Sequence, residues 1–421
     1  MTQRKIPSVL MKPVHIQSAL LFVVLGLACA GASGMGQQLV PPSRPIPRSF
    51  FGMHIHHMVS PNGTSPLTPW PSVTVPEWRL WDARVTWPDL EPLKGQWRFD
   101  NLDKSLALAE QHNANVLLTL GLTPRWASAR PQEPSGYQYG FAAEPNDLED
   151  WRTFVKTVAT RYKGRIHIYE VGNEPNVRKF WTGTVDQMLV LTREAHDIIK
   201  RIDPTALLVS PSATAGSGTP WLSEFLSKGG GEYVDIIGYH FYVTPKPPET
   251  MVPLVEKVKK IVQQNGAGDK PLWDTETGWF PPSQLDSGEL AAAYLARSYL
   301  ILWAEGVQRL YWYAWDNNKM SLQTTASDST TLTPAGQAYD TIQKWLVGAR
   351  MDWCNLDTDS TWTCQLNRNG SSQWIVWNPE QSKTIDLPAA WHIKNITPLV
   401  REPQALKGLS IQVGPIPQLL T

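Results

Sequence analysis

The chain has 421 residues, enough for one large domain and a small one or for two of medium size. Its 38 Lys and Arg balance 38 Asp and Glu, so no net charge advertises a nucleic acid or an anionic membrane as partner. Three cysteines are too few for a cysteine-rich zinc module, while 20 tryptophans supply flat rings that serve equally as core or as platforms for sugar.

At the N-terminus, Arg4, Lys5 and Lys12 precede the apolar run "ALLFVVLGLACA" and the small residues "GASG". This pattern predicts a secretory signal over residues 1–34 and therefore an exported protein, periplasmic or extracellular. The run is short for a membrane span. Cys29 stands where a lipid-attachment cysteine would stand, with Gly26 in place of the usual branched residue three positions earlier. Simple cleavage is the preferred reading; a lipid-anchored form is the alternative and the one route to a membrane. Residues 35–47 form a Pro-rich lead-in.

From residue 48 a rhythm begins. Strand patterns "SFFGMHIH", "EWRLWDARV", "NVLLTLGL", "IHIYEVG", "ALLVSPS", "VDIIGYHFY", "PLWDTETG" and "VQRLYWYAW" follow one another, with amphipathic helical patterns such as "LEDWRTFVKTVATRY" between most of them. Regular alternation of this kind predicts parallel strands joined by crossover helices. Eight units in residues 48–345 have the size of a (β/α)8 TIM barrel. A doubly wound open sheet would carry a Gly-rich turn after its first strand, and "FGMHIHHM" is not one. Beyond residue 346 the helical period stops. Short alternating strands split by Asn, Asp, Gly and Pro predict a small antiparallel β-sandwich domain over residues 346–421. Cys354 and Cys364, ten apart in a strand–turn–strand pattern of an exported chain, predict one disulfide.

Barrel chemistry sits at the C-terminal ends of the strands. Those ends offer His54 and His56 on strand 1, Arg79 on strand 2, Trp126 after strand 3, Asn173 and Glu174 on strand 4, and serines on strand 5. Strand 6 offers His240 and Tyr242, strand 7 Glu276 followed by Trp279, and strand 8 Trp315 and Asp316. Two carboxylates on opposite strands suit glycoside cleavage, in which one protonates the leaving oxygen and the other attacks the sugar or activates water. Asn173 is expected to hold a sugar hydroxyl. Arg79, His240 and Tyr242 are expected to hydrogen-bond the nucleophile and keep it ionised. Trp279, Trp315, Trp126 and His54 are expected to line the sugar groove.

The segments "NEP" after strand 4, "ETGW" after strand 7, "GYHFY" at strand 6 and "RLWDARVTWPDLEP" at strand 2 resemble clan A of the glycoside hydrolases. Within that clan they resemble family 39 and its bacterial relatives that cut exopolysaccharide. The resemblance covers roughly residues 50–345. It implies Glu174 as acid/base, Glu276 as nucleophile, retention of anomeric configuration and no cofactor or metal. It also tilts the substrate toward a bacterial exopolysaccharide cut internally; no protein partner is expected.

Two other readings stay open from the residues. One is a barrel that binds carbohydrate without cutting it. The other is a zinc-dependent amidohydrolase-like enzyme, since His54 and His56 form a His-x-His at the end of strand 1 and Asp316 ends strand 8. Strand 5 supplies only serines where that site wants histidine.

Overall fold

A computed structural model describes residues 37–60, 67–281, 285 and 288–421. The signal-sequence reading, Cys29 included, lies outside the described residues. In chain order the elements begin with β1 (Gln38–Leu39), β2 (Phe51–His54), β3 (Glu77–Leu80), α1 (Trp87–Leu90), α2 (Asp100–Gln111), β4 (Asn115–Leu120), α3 (Leu148–Arg161) and β5 (Ile168–Val171). Next come α4 (Val185–Ile202), β6 (Leu207–Val209), β7 (Ala213–Thr214), α5 (Thr219–Ser227), β8 (Ile237–His240), α6 (Met251–Gln264) and β9 (Leu272–Thr277). After them lie α7 (Glu289–Ala304), β10 (Leu310–Trp312) and α8 (Pro334–Leu346).

The parallel sheet runs β6-β5-β4-β3-β2-β10-β9-β8-β7. Its nine pieces make eight barrel strands, because β6 and β7 are the two halves of the fifth. Pro211 lacks an amide hydrogen and breaks the ladder between them. β6 pairs with β5 and β7 with β8, while a bridge from Val209 to Ile236 completes the ring. A Cβ at Gly238 would collide with Ser212 and Val209, so glycine there lets the broken strand close. The strands carry the unbroken burial of a sheet covered on both faces. Inside the ring lie Leu117, Ile168, Val209, Ile236, Trp273 and Tyr311, the layered side-chain filling of a TIM barrel. Outside, α7 is buried on nearly every face, and the other long helices bury one stripe each. In α4 this stripe is Met188, Leu191, Thr192, Ala195 and Ile199, spaced by three or four, and a capping box from Thr184 and Gln187 starts the helix.

The C-terminal region is antiparallel. β11 (Arg350–Leu356), β12 (Trp362–Arg368) and β13 (Ser371–Trp377) form a meander, extended by β15 (Asn395–Pro398), β16 (Gln404–Ala405) and β18 (Gln418–Leu420). A separate ribbon pairs β14 (Lys383–Asp386) with β17 (Ser410–Val413). Trp374, Val376, Leu387, Ile411 and Val413 pack between the two as a sandwich core. Cys354 and Cys364 face each other across β11 and β12 and are disulfide-bonded. β1, from the Pro-rich lead-in, pairs with β11 at the edge of this sheet. Two residues are too few to show an alternating pattern, so the sequence carries no sign of that strand.

Candidate active site

Three consecutive barrel strands end in a residue with left-handed backbone: Asp82 after β3 (φ 58°), Leu122 after β4 (φ 60°) and Glu174 after β5 (φ 44°). That conformation stops the ladder at a cost of about 1–2 kcal/mol for an L-residue, and such strain gathers at functional sites. For Glu174 the backbone amide still finds a partner, donating to the Ser212 carbonyl at 3.0 Å. The fourth barrel strand, β5, thus ends by presenting Glu174 at the barrel mouth.

Arg79 is the hub. Its fully buried guanidinium donates through Nε to Glu170 Oε2 (2.7 Å), through Nη1 to Glu276 Oε2 (2.9 Å) and through Nη2 to Asn173 Oδ1 (2.8 Å). Burial alone would lower its proton affinity; the Glu170 and Glu276 carboxylates raise it above the usual arginine value. It is a permanent cation. Glu170 in turn accepts from Thr119, Ser212 and Thr275. This buried carboxylate, inside the strand rather than at its end, is absent from the sequence reading. Its signal is a lone acid within the apolar run "IYEV".

Glu276 takes a second donor, Tyr242 Oη, at 3.0 Å. Burial and the Glu276 charge hold the Tyr242 phenol well above its usual value, so it remains a donor. Burial pushes the Glu276 carboxyl up to about 7; the neighbouring Glu174 adds to the rise, and His240 and Arg79 oppose it.

Glu174 Oε1 lies 3.0 Å from His240 Nδ1, and His240 Nε2 lies 3.0 Å from Thr275 Oγ1. Thr275 has two acceptors for its single proton, Glu170 Oε1 and Ser212 Oγ, each at 2.8 Å. Its lone pair therefore accepts from Nε2–H, and the short contact between Nδ1 and Glu174 must contain a proton, held by one partner or the other. His240 keeps a proton at Glu174. The sequence reading had placed it on the nucleophile; the structure moves it to the other carboxylate. One oxygen each of Glu174 and Glu276 and a ring nitrogen of His240 lie within 4.8 Å of one another.

The remaining candidates do not converge on the carboxylates. Trp279 has no exposed surface; its indole donates to the Lys246 carbonyl and stacks on Trp312. Trp315 is equally buried. Trp126 donates to the Glu91 carbonyl and packs edge-on against Trp87. Trp279 and Trp315 belong to the hydrophobic packing because they offer no free face to a sugar, whereas Trp126 is half-buried with the Lys94 ammonium over its ring. His54 is also fully buried, donating from Nε2 to the Thr275 carbonyl, and burial with the nearby Arg79 charge keeps it well below its usual proton affinity.

The zinc arrangement is not assembled. Asp316 accepts from the amides of His56 and His57 and from the Thr68 hydroxyl, which makes it a cap on the loop after β2. Among the described residues, the His, Cys, Asp and Glu side chains that converge tightly enough to share an ion are Glu174, His240 and Glu276, without His54 or His56.

A β-xylosidase of Geobacillus stearothermophilus is 25% identical over 233 residues, 49% of this chain and 46% of that one. The chain thus matches about half the length of that relative. A family 39 glycoside hydrolase from Bacteroides cellulosilyticus superposes with a TM-score of 0.70 at 19% identity, covering 90% of this chain and 82% of the other. A family 39 β-xylosidase from Caulobacter crescentus superposes with a TM-score of 0.65 at 18% identity, covering 91% and 97%. The model of glycosyl hydrolases family 39 matches residues 90–314, more than half of the sequence, and the chain belongs to that family.

Proposed function

We propose that this protein hydrolyses O-glycosidic bonds by double displacement, with Glu276 as nucleophile and Glu174 as acid/base. The observation that carries the reading is the approach of the two carboxylates. Oxygens of Glu174 and Glu276 lie within 4.8 Å, which suits the separation of about 5–5.5 Å used for direct attack and not the roughly 6.5–9.5 Å that admits a water. The surroundings divide the roles. Glu276 receives Arg79 and Tyr242, donors that favour its anion. Glu174 faces His240, which shares a proton with it.

In the first step Glu276 attacks the anomeric carbon. The bond to the leaving oxygen breaks, and Glu174 gives that oxygen its proton. A glycosyl ester on Glu276 results. In the second step Glu174 takes a proton from water, the water oxygen attacks the same carbon, and the ester bond breaks to restore both carboxyl groups. Asn173, held by Arg79, is placed to bind a sugar hydroxyl beside the reacting carbon. The substrate we infer is a polysaccharide of an exported bacterial matrix, cut internally, with the protein itself delivered outside the cytoplasm by residues 1–34.

Proton NMR of the first-formed product tests the mechanism. The expected anomer has the configuration of the substrate, appearing before mutarotation. An inverted first product would remove Glu276 as nucleophile.

A further inference from the structure

Beside the carboxylate pair, on the β3–β5 flank of the barrel mouth, stands a second polar and aromatic group that the reaction does not use. Its centre is Asp82, partly exposed and held in the left-handed region at φ 58°. Tyr137 Oη donates to Asp82 Oδ1 at 2.5 Å and Tyr313 Oη to Oδ2 at 2.8 Å. Tyr313, which binds Asp82, donates its backbone amide to the carbonyl of Thr277 next to Glu276, and Arg79, three residues before Asp82, binds Glu276 itself, so the two carboxylates stand at the same end of the barrel. Each Asp82 oxygen retains a lone pair after these bonds.

Tyr137 is 40% exposed, although its hydroxyl is fixed. Its ring stands 5.9 Å from Trp81 and 6.0 Å from Phe180. It belongs to the connection between β4 and α3, residues 121–147, far longer than the usual barrel loop. That loop is stitched to the one after β5. Gly136 N donates to the Lys179 carbonyl at 2.8 Å, Thr182 N to the Ala142 carbonyl at 2.8 Å, and Arg130 to the Thr182 hydroxyl at 2.9 Å. An aromatic ring held open to solvent by a braced loop is a binding platform whose ordering cost is already met in the free protein.

We propose that Tyr137, Phe180 and Asp82 form a second sugar subsite, adjacent to the carboxylate pair, for a neutral β-linked pyranose chain. The flat carbon–hydrogen face of an equatorially substituted pyranose lies on the Tyr137 ring, and its hydroxyls donate to Asp82. An anionic sugar would meet the Asp82 charge, and the fully buried Arg79 guanidinium is already engaged by Glu170, Glu276 and Asn173. The proposal rests on the glycosidase reading and names the kind of chain that the site accepts.

The test is a calorimetric titration in the Glu276→Gln background, where binding is read without turnover. Xylotriose, cellotriose and chitotriose are the probes, each with its monosaccharide as control. At least one trisaccharide is expected to bind more tightly than its monosaccharide. Tyr137→Leu should weaken that trisaccharide about tenfold, the scale of a lost aromatic contact, and the monosaccharide by far less. Tyr137→Phe keeps the ring and should restore most of the affinity. Equal weakening of trisaccharide and monosaccharide, no weakening by Tyr137→Leu, or no binding of any trisaccharide at millimolar concentration would overturn the subsite. Failure of the glycosidase reading looks different: Tyr137-dependent trisaccharide binding combined with no hydrolysis by the native enzyme.

Discussion

Glu276 is pulled in two directions, and Glu174 supplies part of the pull. Burial and the Glu174 charge raise the Glu276 carboxyl to about 7, against His240 and Arg79. Two coupled carboxylates titrate as a pair, and the productive form carries one proton between them. Activity should fall above about pH 7, where the pair loses that proton, and fall again in acid, where it gains a second. Glu174→Gln separates the limbs. With an aryl glycoside whose leaving group needs no acid, the alkaline limb should vanish. The acid limb should stay near its place, because Glu174 is already uncharged where the pair gains its second proton. A profile of kcat/KM against pH in the variant checks both. A retained alkaline limb in the variant would mean that this limb does not report the proton held by Glu174.

The same residues show what a sequence can reveal. Glu174 and Glu276 were legible because a carboxylate at the end of a buried strand conflicts with strand propensity. Glu170 carries the same conflict inside a strand, yet its partners Arg79, Thr119, Ser212 and Thr275 come from four other barrel strands. Only the closed barrel brings them together. The tryptophans were the weak point. Trp279 and Trp315 sit beside chemical residues in the chain, but both lie past the ends of β9 and β10, where strand alternation no longer fixes the side an indole faces.

At the scale of elements, β2 and β10 are fastened at the mouth by Asp316. Burial would raise its proton affinity, but hydrogen bonds from His57 and the charge of His56 hold it down to about 2. A carboxyl depressed in the folded state contributes stability above its unfolded value near 3.8, and that contribution is lost as pH falls toward 2. Asp316→Ala leaves the His56 and His57 amides and the Thr68 hydroxyl without their acceptor. A loss of about 1–3 kcal/mol is expected at neutral pH, measured by urea unfolding, with a smaller difference near pH 2. Equal stability of variant and parent at neutral pH would show that the loop finds other partners. The eight-unit rhythm was legible here because most barrel strands are short and largely apolar, with helical patterns between them. The division of the fifth strand was not, since "SPS" reads simply as the end of "ALLVSPS".

Across the whole molecule, the β-sandwich is tied to the barrel through a buried polar contact. Trp377 at the end of β13 donates its indole N–H to Glu249 Oε1 at 3.0 Å, and Arg297 on α7 approaches the same oxygen at 3.4 Å. Arg297 is almost entirely buried, and burial lowers its proton affinity against the opposing Glu249 charge. Trp377 also stacks on Trp362 within the sandwich at 5.4 Å. One indole therefore serves both the apolar packing continuous with the barrel and the polar contact with Glu249. Trp377→Ala removes a fully buried ring and deprives Glu249 of a donor, a combined loss expected near 3–5 kcal/mol. Trp377→Phe keeps most of the packing and isolates the hydrogen bond, with an expected loss of about 1–3 kcal/mol. Calorimetry distinguishes a fastened pair from two independent modules. If the contact couples them, the parent unfolds in one transition and Trp377→Phe lowers that whole transition. If the parent already shows two transitions and Trp377→Phe moves only the one belonging to the sandwich, the barrel stands without its neighbour and Glu249 with Arg297 is an affair of the barrel alone.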